Sequence, residues 1–351
     1  MAKTENGFSV FSVISKDIGI DLGTANTVIY MRDKGIILRE PSAVAIDVRT
    51  DEVIAAGKEA KEMLGKTHEN IEVILPMEKG VVANYGACAA MVKYYLQKAA
   101  MAGAFSKPRV VVAVPSGITD VERRAVEDAV KQSGAGSVNL MEAPLASAIG
   151  VGLPVGVPRG VMVLSFGAGI TECGVIALGD IVASATARYG SGDLDRAVSR
   201  YIKMKYGLNI GPATAEEVKL KIGSVFPSDD SYNTFMEVRG RSTLEGLPKS
   251  ITVHADEIRE VFYSEVSAVV KVIMDVMAET PPELAADIIE SGIVATGGGS
   301  QLKGLDKFIE QETGLKVSQA ERPVDCTAEG VGKSLDLVFS GRDIRKTRRI
   351  K

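Results

Sequence analysis

The chain has 351 residues, 46% of them hydrophobic and 25% charged. That length predicts two domains, or one large duplicated one. A formal net charge of -4 argues against non-specific nucleic-acid binding as the main role, because neutralising phosphates needs a cationic surface. Cys88, Cys173 and Cys326 are far apart, odd in number and form no CxxC, so neither a disulfide framework nor a zinc site is expected, and a reducing cytosol fits. With only His68 and His254, a histidine metal centre is not expected either. No apolar run reaches the roughly 18 residues that span a bilayer, and Phe8–Ile14, broken by serines and followed by Lys16-Asp17, does not read as a cleavable leader.

Taken in chain order, Phe8, Val10, Phe11, Val13 and Ile14 share one side of a helical wheel, with Ser9, Ser12 and Lys16 opposite. This reads as a short interfacial helix or, equally, as an extended lead-in. Ile18–Tyr30 is two β-rich runs around a small-residue turn, a hairpin. Arg109–Val114 predicts a buried strand. After the break at Pro115-Ser116-Gly117, Thr119 and Glu122 form a capping box. A helical stripe of Val121, Ala125, Val126, Ala129 and Val130 then runs to a stop at Gly134. Val161–Leu178 again reads strand, glycine turn, strand, about 145 residues after the first hairpin, which points to an internal duplication. Thr214 and Glu217 predict a second capping box, opening a helix through Ile222. Ser224–Gly246 reads as loops or a small subdomain. Ile258 to Met277 marks one long helix stopped by Pro281-Pro282. Ile293–Ala295 is a strand, Thr296–Ser300 a glycine run, and a helix follows from about Leu302. The tail 342–351 carries six basic residues and reads as solvated or as touching anionic lipid.

Three stretches carry candidate chemistry. In Asp21-Leu22-Gly23-Thr24-Ala25-Asn26, turn N–H groups with Thr24 and Asn26 can cradle phosphate. Asp21 at a strand end can hold Mg²⁺ through water. A plain turn is an equal reading of these letters. Ser165–Glu172, with Gly167 and Gly169, can form a second phosphate hairpin facing the first. Gly297, Gly298 and Gly299, between a strand and a helix, permit close approach to a base or phosphate, or simply a tight turn. The run lacks both the P-loop and the dinucleotide spacing.

Several stretches together are similar to the actin superfamily and, in detail, to the bacterial MreB family. They are Gly19–Thr27, Glu40–Ile46, Gly57–Gly65, Val114–Thr119, Thr214–Lys219 and Ala295–Gly299, and the resemblance runs from about residue 17 to about 337. It implies an α/β, actin-like ATPase fold: two duplicated ribonuclease-H-like domains with small inserted subdomains around a nucleotide cleft. The expected division is a membrane-proximal segment 1–16, subdomain IA at 17–31 and 80–150, IB at 32–79, IIA at 151–187 and 254–340, IIB at 188–253, and a basic tail 341–351. ATP or ADP with Mg²⁺ is the implied cofactor. Asp21 would lie near the metal, and Gly23, Thr24, Ala25 and Asn26 would line the first phosphate loop. Gly167, Gly169 and Thr171 would line the second, with Glu216 and Lys219 beside the adenosine and Gly297, Gly298 and Gly299 on its other side. The implied partners are further copies of the chain, as paired protofilaments, and the inner face of the cytoplasmic membrane. A conventional MreB paralogue is a further expected partner, and no specific nucleic acid is expected.

The sequence departs from that pattern where hydrolysis is concentrated. Ser165 stands where the family has an aspartate, Ala168 where it has a glycine, Ala143 where a glutamate precedes the proline, and Gly192 where an aspartate is usual. Glu142 is one residue early, and on an extended segment one step reverses the side chain. The expectation is slow or absent hydrolysis with nucleotide still bound; the alternative is a re-wired site using Asp21 with Glu142, Thr171 or Glu172. A sugar or acetate-type kinase lacks a matching motif here, and a chaperone ATPase would need a further substrate domain. A non-enzymatic scaffold remains the serious rival.

Overall fold

A computed structural model describes residues 17–100, 107–227 and 234–340. The expected interfacial helix at 8–14 and the basic tail lie outside the described residues. The first lobe opens with a meander of β1 (Asp17–Leu22), β2 (Asn26–Met31) and β3 (Gly35–Pro41). A small three-stranded sheet follows, built from β4 (Val44–Asp47), β5 (Glu52–Ala56) and β6 (Ile71–Ile74) with helix α1 (Lys58–Met63). A two-stranded turn, β7 (Met77–Glu78) and β8 (Val81–Val82), leads to α2 (Tyr85–Ala100), β9 (Arg109–Val114), α3 (Asp120–Gln132), β10 (Ser137–Glu142) and α4 (Ala143–Val151).

The second lobe repeats the plan. Its meander is β11 (Val161–Phe166), β12 (Thr171–Ala177) and β13 (Asp180–Ala187). The inserted piece is α5 (Ser191–Tyr206), β14 (Leu208–Asn209), α6 (Pro212–Ile222), β15 (Phe235–Ser242) and β16 (Pro248–His254). Helices α7 (Ala255–Glu265), α8 (Ser267–Glu279) and α9 (Pro282–Ser291) return the chain to β17 (Ile293–Thr296), α10 (Leu305–Thr313), β18 (Val317–Gln319) and α11 (Cys326–Ser340).

The two large sheets have one topology. In the first, β3-β2-β1 is antiparallel and β1-β9-β10 parallel; in the second, β13-β12-β11 is antiparallel and β11-β17-β18 parallel. The duplication read from two hairpins is therefore a duplication of whole sheets. The outer face of the first sheet packs Ile18, Ile20, Val110 and Val112 under α2 and α3. The outer face of the second packs Met162, Leu164 and Val175 against α5 to α8 and α10. The inner faces meet in a shared core, where Val111, Ala113, Met141, Val163 and Ile176 close around α4 and α11.

Those two helices cross at small residues spaced four apart, Ala146 and Gly150 on one, Cys326 and Gly330 on the other. A Cβ on Gly150 would lie 1.8 Å from the Cys326 carbonyl oxygen, and one on Gly330 would lie 1.6 Å from that of Ala146. Only hydrogens fit there. The crossing is braced by the Ser147–Thr327 hydroxyl pair at 2.9 Å and by Lys333 Nζ donating to the Gly150 carbonyl at 2.7 Å.

Several expectations are corrected. Residues 35–41, which the expected division puts with the small subdomain, pair with β2 in the large sheet. The long helix breaks at Val266 (φ −75°, ψ −7°), where buried Val266 joins α7 to α8 through a tight turn. No glycine or proline announces that break. Helix α6 starts two residues before Thr214, because Pro212 at its first position is pre-set for the helix. The glycine run continues as a 3₁₀ turn at Gly298–Gln301, and α10 waits until Leu305. Val121 is 78% exposed and leaves the α3 stripe to Val126, Ala129 and Val130. The Thr119 capping box is present, with Glu122 N–H donating to Thr119 Oγ1 and Thr119 N–H to Glu122 Oε2.

Candidate functional site

The site begins with two matching turns. Gly23 N–H donates to the Asn26 carbonyl at 3.1 Å, and Gly167 N–H to the Ile170 carbonyl at 2.9 Å. Each turn is braced from outside: Ser42 Oγ and N–H bond the Gly23 and Ala25 carbonyls, and the Ser191 and Gly192 N–H groups bond those of Gly167 and Ala168. The turns touch: a Cβ on Gly169 would lie 2.6 Å from Thr24 Oγ1. Thr24 Oγ1 accepts the Gly80 N–H at 3.0 Å, so its own proton remains free to give to a ligand. Asn26 is exposed at the start of β2.

Side-chain alternation then sets the floor. On β1, Asp17, Gly19 and Asp21 share the inner face. Asp17 is fully buried and satisfied, receiving Arg109 through two bonds of 2.8 Å and Arg32 at 2.9 Å. Asp21, four residues on, has no cation and no hydrogen-bond donor among the described residues, and burial pushes its carboxyl up to about 7. Glu172, on the inner face of β12, is only 3% exposed. Burial also pushes it up to about 7, helped by the nearby Asp21 charge and, more weakly, by Glu142; bonds from Ser116 N–H at 2.8 Å and from the Thr186 hydroxyl oppose the rise.

Ser165 is the fifth residue of β11 as Asp21 is the fifth of β1, and it pairs with Glu172 across the strand and with Thr296 on β17. It therefore occupies the position equivalent to Asp21 in the duplicated sheet, carrying a hydroxyl in place of a carboxylate. Ala143 is buried at the first position of α4, on the Met141 side that faces the shared core. Glu142 caps no helix N–H and, by strand alternation, shares the face of Leu140.

Half-buried Asp21 and buried Glu172 are thus two carboxyls short of positive charge, the deficit that a cation would relieve. Among the described residues no three His, Cys, Asp or Glu side chains form a ready-made metal cage. Magnesium needs none when it arrives on phosphates and keeps its water, so the residues present fit that mode.

The remaining site residues divide by what they already do. Thr171 is fully buried and gives its proton to the Tyr189 carbonyl at 2.7 Å, which leaves it lone pairs only. Lys219 donates to Asp195 at 2.9 Å and to the Ser191 carbonyl at 3.1 Å, so it ties α6 to the segment that braces the second turn. Glu216 faces Lys61 of the first lobe at 3.4 Å, across the cleft mouth. A Cβ on Gly297 (φ +81°) would strike the Phe166 carbonyl at 2.5 Å, and one on Gly299 the Phe166 ring at 2.6 Å, so packing on β11 explains both. Gly298 faces open space apart from Val324 at 3.7 Å and is the glycine of the three left for a ligand. Sequence reasoning missed Ser116, Thr186, Asp195 and Lys61 as neighbours of these groups. Ser116 was within reach, since it lies in the Val114–Thr119 stretch; its Oγ is buried without a hydrogen-bond partner.

Comparison with known proteins gives consistent results. The family model described as "MreB/Mbl protein" matches residues 15–340. The chain is 43% identical to the cell shape-determining protein Mbl of Bacillus subtilis over 324 residues, 92% of this chain and 97% of that one. It is 43% identical to the cell shape-determining protein MreB of Escherichia coli K12 over 334 residues, 93% and 95% of the two chains. Among solved structures, MreB5 of Spiroplasma citri bound to ADP superposes with a TM-score of 0.88 at 32% identity, covering 93% of this chain and 98% of that one. A MamK double helical filament shares the fold at 17% identity, TM-score 0.76, covering 91% and 98%.

Proposed function

The chain belongs to the MreB/Mbl family of actin-like, cell shape-determining proteins, and from that premise we propose that it binds ATP or ADP with Mg²⁺ in the cleft and forms cytoskeletal filaments on the inner membrane face, hydrolysing nucleotide slowly. The observation that carries the nucleotide reading is the pair of matched glycine turns in contact above Asp21 and Glu172. Turn N–H groups and the Thr24 hydroxyl donate to phosphate oxygens. The solved MreB5 of Spiroplasma citri holds ADP in one structure and AMPPNP in another. Gly298 and Glu216 flank the base and ribose side.

Slow hydrolysis follows from two positions. Bound magnesium would supply charge compensation for the phosphates. Asp21 is the carboxylate available to orient its water shell, and Ser165 leaves the symmetric position without one. Ala143 leaves the inner face without the carboxylate that would hold an attacking water. Glu172 is the group left to take that role. Positioning and charge compensation are each worth orders of magnitude in phosphoryl transfer. Filament formation is supported by membership in the family and by the shared fold with a filament-forming relative. Membrane contact rests on the apolar segment at 8–14 and the basic tail. The second reading, a non-hydrolysing scaffold or co-polymer partner of a conventional MreB, is favoured by the same Ser165 and Ala143.

Electron microscopy of the purified protein with ATP, ADP and no nucleotide, with phosphate release followed in the same tubes, tests this. Filaments with little phosphate release are expected. Turnover at the rate of a conventional MreB would refute slow hydrolysis, and no filaments in any tube would favour the co-polymer. Loss of liposome co-sedimentation when residues 1–16 or 341–351 are removed checks the membrane claim.

A further inference from the structure

The turn between β7 and β8 reaches both glycine turns. Its apex is Lys79-Gly80, with φ of +48° and +79°. Gly80 donates its N–H to Thr24 Oγ1 at 3.0 Å. A Cβ on Gly80 would lie 2.8 Å from Ile170 Cδ1, and a Cβ on Gly169 would lie 3.0 Å from the Lys79 Cα. The Lys79 backbone therefore stands at the seam between the two turns. A lysine rarely takes a left-handed backbone, and here the contacts on both sides hold it there. Its side chain is half-buried and makes no hydrogen bond or ion pair among the described residues. Among the described residues already named against the turns, Ser42, Gly80, Ser191 and Gly192 are uncharged, and Lys79, whose Cα lies at the seam, carries a cation.

We propose that Lys79 is a phosphate-binding residue, whose ammonium neutralises the terminal phosphate oxygens of a nucleoside di- or triphosphate and lets this chain hold nucleotide with little dependence on a divalent cation. The proposal rests on the nucleotide reading above and adds a residue to it. A flexible four-carbon stem rooted at the seam carries a point charge to phosphates lying between the turns. The same cleft has a hydroxyl, Ser165, at the position symmetric with Asp21, so metal anchoring is weak where a fixed protein cation is present.

The test is calorimetric binding of ADP and of adenosine to the full chain, in Mg²⁺ and in chelator, for wild type, Lys79→Met, Lys79→Arg and Lys79→Gly. Wild type is expected to lose less than about tenfold in ADP affinity on chelation, and Lys79→Met about tenfold in Mg²⁺ and more in chelator, the scale of one charged contact. Lys79→Arg retains binding, and adenosine affinity stays equal throughout. Lys79→Gly, which suits the left-handed backbone and keeps the turn, is expected to lose ADP as Lys79→Met does. Unchanged ADP binding in Lys79→Met would overturn the proposal, as would parallel losses of ADP and adenosine, or full ADP binding by Lys79→Gly. A wild type that binds no nucleotide under any condition would instead remove the nucleotide reading itself, and this proposal with it.

Discussion

Replacing Glu172 by glutamine separates the electrostatic cost of the site from its shape. Glu172 is buried beside Asp21, and its carboxyl is pushed from 4.5 to about 7, chiefly by burial. A carboxyl held above its unfolded value costs the fold nothing at low pH, costs more as the pH rises from its unfolded to its folded value, and stays level beyond. That interval corresponds to about 3 kcal/mol at full ionisation. Glutamine keeps an oxygen to accept the Ser116 N–H and removes the charge. The expected result, in chelator and without nucleotide, is a variant that gains on the wild type by about 2 kcal/mol between about pH 5.5 and about pH 8. Urea denaturation at both pH values measures it, with the slope checked for two-state behaviour. A gap between variant and wild type that is the same at both pH values would refute the reasoning, since it would show that Glu172 does not carry a titrating penalty.

Three further outcomes are expected. Ala143→Glu with Ser165→Asp should raise phosphate release by about 100-fold, the scale of a restored positioning or charge-compensating group; a release assay showing no change would remove both positions from the mechanism. Gly150→Ala or Gly330→Ala should lose about 3 kcal/mol, read as a lower urea midpoint, because a methyl cannot enter the α4–α11 crossing without parting the helices. Thr119→Ala should lose about 1 kcal/mol in the same measurement by removing one half of the α3 capping box, and an unchanged midpoint would show that solvent replaces the cap.

Local chemistry was legible in the letters. Both hairpins, the strand Arg109–Val114 and the capped start of α3 follow from short-range rules: β-branched runs, small turn residues, a hydroxyl three residues before a glutamate. The three cysteines, spaced too widely for a metal motif, are all buried thiols. The family motifs carried the expectation of the fold and the cleft, because close backbone approach to phosphate demands particular residues at particular turns. The departures at Ser165 and Ala143 were visible too. What they face was not.

The rest follows from contacts between segments far apart in the chain. Val266 ends a helix without any breaker: α7 packs against α5 and α6, while α8 packs against β12 and β13. Gly150 and Gly330 lie 180 residues apart in the chain, and their mutual fit exists only once two helices cross. Asp17 and Asp21 look alike on one strand, yet Arg109 and Arg32 reach the first and leave the second without a cation. Gly297 and Gly299 serve packing on Phe166, while Gly298 alone opens outward. The two hairpins, the strand Arg109–Val114 and the capped start of α3 depend on neighbours along the chain and are visible there; the break at Val266 and the start of α6 at Pro212 are not. Which carboxylate is paired, which glycine faces a ligand and which lysine stands at the seam depend on neighbours in space, and packing settled them.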